Sequence, residues 1–174
     1  MSSFLFSASL GSALFLFALT PTQAQTKQGA NQWPQTRFEQ NNYQSTSTVA
    51  DVAQFMAALQ KHDAALKSYA PKNAPRTTET GLALNAWRLT STGKDPLRVY
   101  INAGIHAGEV EGKDAMQLIM RELVQGKYPE LRQALEIVTL PTYNADGADA
   151  QEPLNRRYQP NPSSGVGPRE NAFG

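Results

Sequence analysis

The stretch Leu97-Arg-Val-Tyr-Ile-Asn-Ala-Gly-Ile-His-Ala-Gly-Glu109 decides how this chain is read. Its first seven residues, Leu97 to Ala103, mix β-branched and aromatic side chains and predict a strand apolar enough for an interior place in a sheet. Gly104 and Gly108 then bracket Ile105, His106 and Ala107, and glycine lets the backbone turn sharply there. From Glu109 to Gln125 the period becomes helical, with Ala115, Leu118, Ile119, Glu122 and Leu123 recurring on one face. His106 is therefore expected just past a strand end, and Glu109 in the first turn of a helix. In open α/β sheets, ligand sites lie outside the carboxyl ends of the strands.

Working outward, Leu82 to Thr90 alternates, with Trp87 and Leu89 opposite Leu84, Ala86 and Arg88, which predicts a second strand. Ser91 to Pro96 has the length and composition of a hairpin turn between the two strands. Tyr128 to Leu135 reads as a short helix starting near Pro129, and Glu136 to Pro141 as another buried strand. On the N-terminal side, Thr48 is expected to cap a helix, with Asp51 favouring its positive end. Val49, Val52, Ala53, Met56, Leu59 and Leu66 make an apolar stripe that carries this helix to Tyr69, before Pro71 stops it. His62 falls on it as a surface residue. Residues 25–47 form a polar arm without a period, which Trp33, Phe38 and Tyr43 could pin to a core. Strand, helix and strand in this order predict an α/β domain with a mixed sheet.

The 174 residues are 40% hydrophobic and 18% charged, which excludes a disordered tail, a collagen repeat or a coiled coil. Sixteen basic and fifteen acidic residues leave a net charge of +1, so no electrostatic case exists for a nucleic-acid partner. No cysteine is present, so a metal here must take nitrogen and oxygen ligands. The first charged side chain is Lys27. The run from Leu10 to Leu19 is apolar but shorter than the roughly 20 residues that span a bilayer. The small-x-small site Thr22-Gln23-Ala24 follows it. Residues 1–24 thus read as a secretory signal peptide cut after Ala24, with no stable membrane anchor afterwards. Export of a cysteine-free chain suits a periplasm or the extracellular medium.

His106 and Glu109 stand three residues apart, so a neutral imidazole nitrogen and a carboxylate can converge on one cation; zinc accepts that mixed set at about 2.0–2.2 Å per ligand. The residues alone also allow a solvated histidine beside a helix-start glutamate that complements the dipole. Glu111 is the rival carboxylate, expected to be exposed on the helix.

The run from Asn102 to Glu109 resembles the first zinc-ligand motif of the carboxypeptidase A-like zinc metallopeptidases. Pro141-Thr-Tyr-Asn144-Ala-Asp146-Gly147 resembles that family's Asn-Pro-Asp-Gly turn, with Ala145 in place of the usual proline. Pro168 to Gly174 resembles the approach to its Leu-Asn-Arg segment. The likeness covers roughly residues 50–174 and implies a mixed-sheet zinc-carboxypeptidase-like α/β domain over residues 48–174, incomplete at the C-terminus.

By that resemblance, His106 and Glu109 are two of three protein ligands to Zn2+, and Arg169 is the arginine facing the scissile carbonyl oxygen, where a guanidinium stabilises an oxyanion. Arg156 and Arg157 are the competitors for that place, with a solvated loop pair as their expected role. Asn144 to Gly147 is expected to form a structural turn, with Gly147 at positive φ. The family's second histidine ligand and its general-base glutamate have no counterpart before Gly174, so the chain is expected to be the N-terminal part of a longer enzyme and inactive by itself. The implied activity is that of a secreted zinc metallocarboxypeptidase acting on peptide or amide substrates. An amidase or deacylase of the same fold, or a non-catalytic secreted binding module, are the alternatives.

Overall fold

The computed structural model describes residues 33–150. The expected signal peptide, Arg156, Arg157 and Arg169 lie outside the described residues. The elements in chain order are α1 (Arg37–Gln40), α2 (Val49–Gln60), β1 (Leu66–Tyr69), β2 (Ala86–Leu89), β3 (Leu97–Asn102), α3 (Glu111–Val124), α4 (Pro129–Ala134), β4 (Leu135–Leu140) and α5 (Ala145–Asp149). The four strands form one mixed sheet in the order β1-β2-β4-β3. β1 and β4 both pair antiparallel to β2, while β3 runs parallel to β4. The α/β class with a mixed sheet is as the sequence predicts.

Thr48 caps α2 through a full capping box with Asp51. The helix ends at Gln60, not at Tyr69, and Leu66 begins a strand. Asp63 is the cause: its Oδ1 accepts from the Ala65 amide at 2.8 Å, a local turn that competes with the helix. Leu66 falls seven residues after Leu59, where helical period and strand burial coincide. His62 therefore lies beyond the helix, exposed, with its ring stacked on Trp33 at a centroid distance of 4.4 Å.

Ser91 to Pro96 does not close a hairpin, because β4 lies between β2 and β3. The turn is tied instead to the end of α4: Ser91 Oγ donates to the Gln133 carbonyl at 2.6 Å and the Thr92 amide to that of Arg132 at 3.1 Å. The α3–α4 crossover then returns the chain parallel to β3. Among the described residues β3 pairs only with β4 and lies at the edge of this four-stranded sheet. Leu97 and Tyr100 are 67% and 58% exposed.

α2 and α3 supply the helical side of the core. Val52, Phe55, Met56 and Leu59 meet Met116, Met120 and Leu123 over Leu66, Trp87, Leu89 and Ile137 of the sheet. Strand alternation turns Tyr69, Ala86, Tyr100, Val138 and Leu140 to the other face, where they line a groove of about 820 Å³. The buried face of α3 departs from the expected stripe: Ala115 and Ile119 are exposed, while Lys113, Asp114 and Gln117 are buried. The polar members of this face made it invisible to a count of apolar residues. Asp114 Oδ1 accepts from Ser47 Oγ at 2.6 Å, and Gln117 Nε2 donates to the same hydroxyl at 3.0 Å, fixing the chain before α2 onto α3.

Candidate metal centre

The loop from Gly104 to Val110 begins where β3 ends and stops at the N-cap of α3. Gly104 and Gly108 have φ of +61° and +78°, left-handed values that other residues adopt only under strain. Between them Ala107 is fully buried. The Glu109 amide donates to the His106 carbonyl at 3.3 Å, closing a turn that precedes the helix. Glu109 thus stands two residues before α3, a correction to its expected place in the first helical turn. This turn brings His106 Nδ1 to 2.9 Å from Glu109 Oε1, with the two side chains 34% and 40% exposed. Glu111, at the first position of α3, is exposed as expected.

The segment after β4 seats this loop. The Tyr143 amide donates to the Ala103 carbonyl and the Asn144 amide to that of Gly104, each at 2.9 Å. Asn144 Oδ1 accepts from the Gly147 amide at 3.0 Å and caps α5. Gly147 lies in this short helix and not at positive φ, so its role differs from the one expected. A Cβ there would stand 2.8 Å from the Ala107 Cβ and 2.9 Å from its Cα, so glycine is needed for close approach. Asp146 reaches away from the loop: its Oδ1 accepts from Thr78 Oγ1 at 2.7 Å and from Thr80 Oγ1.

The sequence matches the zinc carboxypeptidase family, peptidase M14, over residues 52–171. The chain belongs to the zinc carboxypeptidase family. Its fold is similar to that of thrombin-activatable fibrinolysis inhibitor, with a TM-score of 0.54 at 12% identity, over 61% of this chain and 27% of that one. The bovine form of that protein, in complex with tick carboxypeptidase inhibitor, matches with a TM-score of 0.49 at 15% identity, over 62% of this chain and 34% of that one. This family member therefore spans about a third or less of the length of those two chains. No curated protein sequence matches it.

In a zinc carboxypeptidase-family chain the His106–Glu109 pair can be tested against the ion. Two ligands at about 2.0–2.1 Å on a tetrahedral ion stand roughly 3.4 Å apart. The observed 2.9 Å between Nδ1 and Oε1 needs only a few tenths of an ångström of opening. The nitrogen and carboxylate donors suit zinc, so the residues present fit the ion as part of its shell. No group of three or more potential ligands occurs among the described residues.

Two further features were missed from sequence. The clamp from Asp146 to Thr78 and Thr80 joins residues 68 and 66 positions apart, which no local pattern reveals. Lys113 is 1% exposed, and its Nζ has no hydrogen-bond partner among the described residues. Burial holds its pKa below the ordinary value, and the charges of Asp114, Asp149 and Glu111 partly oppose that. A lysine inside the helical stripe reads as surface, so its burial had no sequence signature.

Proposed function

We propose that this chain is part of a secreted zinc metallocarboxypeptidase, which hydrolyses the peptide bond at a free C-terminus. The observation that carries the reading is the convergence of His106 Nδ1 and Glu109 Oε1 at the end of β3, in a chain of the zinc carboxypeptidase family. His106 would hold the ion through Nδ1 and Glu109 through a carboxylate oxygen. Bound zinc would polarise the scissile carbonyl and lower the pKa of water towards about 7. The sharp turns at Gly104 and Gly108 and the buried Ala107 hold both donors at the mouth of the sheet. Arg169 is assigned to the oxyanion by its place in the family-like segment, where a guanidinium favours developing negative charge. The uncharged leader ending at Ala24 supports export, and no described helix is long and apolar enough to cross a membrane.

The test uses protein expressed from the complete reading frame, assayed on peptides with free and with amide-blocked C-termini. Chelator-sensitive release of the C-terminal residue is expected. His106→Ala and Glu109→Ala should each lower kcat/KM by at least about 100-fold, since an altered metal shell removes groups that act together. Preference for blocked peptides would favour an amidase. Full activity in either variant would refute the site.

A further inference from the structure

We propose that Asp146 is a positioning residue for the His106–Glu109 pair: by holding the Thr78 and Thr80 hydroxyls it locks the α5 turn on which the Gly104–Glu109 loop is seated. This rests on the zinc reading given above. The loop is held on both flanks of His106 by one short segment. On one side, the Tyr143 and Asn144 amides donate to the Ala103 and Gly104 carbonyls at 2.9 Å. On the other, Gly147 backs directly onto Ala107, too closely for any side chain at 147. A shift of residues 144–147 therefore moves the loop at both ends, and with it the imidazole between them.

That segment cannot hold its own position. α5 has five residues, too few for a helix to persist in water without tertiary support. Asp149 Oδ1 takes the Val49 amide at 2.7 Å and anchors its far end to α2. At the near end, beside the loop, Asp146 reaches across to another part of the chain. Its Oδ1 accepts from Thr78 at 2.7 Å and from Thr80. The loop it grips is itself braced, because the Thr78 amide donates to the Leu82 carbonyl at 2.9 Å and Thr78 Oγ1 accepts from the Leu82 amide at 3.0 Å. Thr78 is thus a braced anchor, with Thr80 beside it as a second donor. Groups that orient metal ligands from behind typically contribute 10–100-fold to metal affinity.

The experiment measures zinc affinity of the full chain by competition with a chromophoric chelator, beside the thermal midpoint of the metal-free protein. Asp146→Ala should weaken zinc binding about tenfold. Asp146→Asn keeps an acceptor oxygen and should stay within about twofold of the parent. Thr78→Val with Thr80→Val removes the donors and should weaken binding as Asp146→Ala does; all three changes together should be no worse than either alone. His106→Ala is the control, because unchanged binding there overturns the zinc reading and this inference with it. If His106→Ala abolishes binding, the inference alone is overturned by two results. One is a lower thermal midpoint in Asp146→Ala with unchanged zinc affinity, which marks a purely structural residue. The other is losses in affinity that add, which show that Asp146 and the threonines act separately.

Discussion

Lys113 shows how a single residue can set a stability profile. Its ammonium is buried in the first turn of α3 and lacks a hydrogen-bond partner among the described residues. Burial lowers its pKa in the folded state below the ordinary 10.5. Below the folded value both states carry the proton, and the burial penalty is present in full. As pH rises from there towards 10.5, the unfolded chain still holds a proton that the folded chain has released, so stability rises. Lys113→Met keeps the volume and removes the charge. It should raise stability at pH 7 by on the order of 1–3 kcal/mol, the cost of an unmet buried polar group. It should also flatten the rise in stability as pH climbs towards 10.5. Urea denaturation across that range checks both, and a Met variant less stable at pH 7 would contradict this account.

At the scale of elements, α1 has four residues and is held from outside. Arg121 of α3 grips Glu39 with both guanidinium nitrogens, at 2.8 and 2.7 Å, and its Nη1 also donates to the Pro34 carbonyl at 2.8 Å. The hydrogen bonds from Arg121 hold the Glu39 carboxyl below its ordinary 4.5 against the opposing effect of burial, with the Thr36 amide assisting. A lowered carboxylate stabilises the fold above 4.5 and loses that contribution as pH falls through its folded value. Glu39→Gln should therefore cost about 1–2 kcal/mol at pH 7. The gap from the parent should close at acid pH, as read by denaturation from pH 7 to 3. A gap that persists at low pH would locate the effect in packing instead.

Other elements divide by how local their cause is. Thr48 and Asp51 announced α2 because a capping box lies within four residues of sequence. Its end was misread because the Asx turn at Asp63 competed with a stripe that Leu66 happened to continue. α4 was legible from Pro129 at its start. The buried face of α3 was not, because Asp114 and Gln117 find their partner in Ser47, about seventy residues earlier.

For the molecule as a whole, the α/β class and the family were legible because glycine, histidine and glutamate must follow a strand in fixed order to build this loop. The sheet order was not, because β4 enters between β2 and β3 only after the long crossover through α3 and α4. Local alternation fixes which faces of a strand are apolar but not its neighbours. Of the candidate site, the pair His106 and Glu109 could be found within one turn of sequence. Its support by Asn144, Asp146 and Gly147 could not, since it arises where β4 delivers α5 beside the end of β3.

The central claim is that His106 and Glu109 hold zinc where β3 gives way to α3. Anomalous X-ray diffraction above and below the zinc absorption edge, on crystals of the full chain grown with zinc, tests it most directly. The account predicts an anomalous peak about 2.0–2.2 Å from both His106 Nδ1 and a Glu109 carboxylate oxygen. A zinc peak on other residues, with none at this pair, would contradict it.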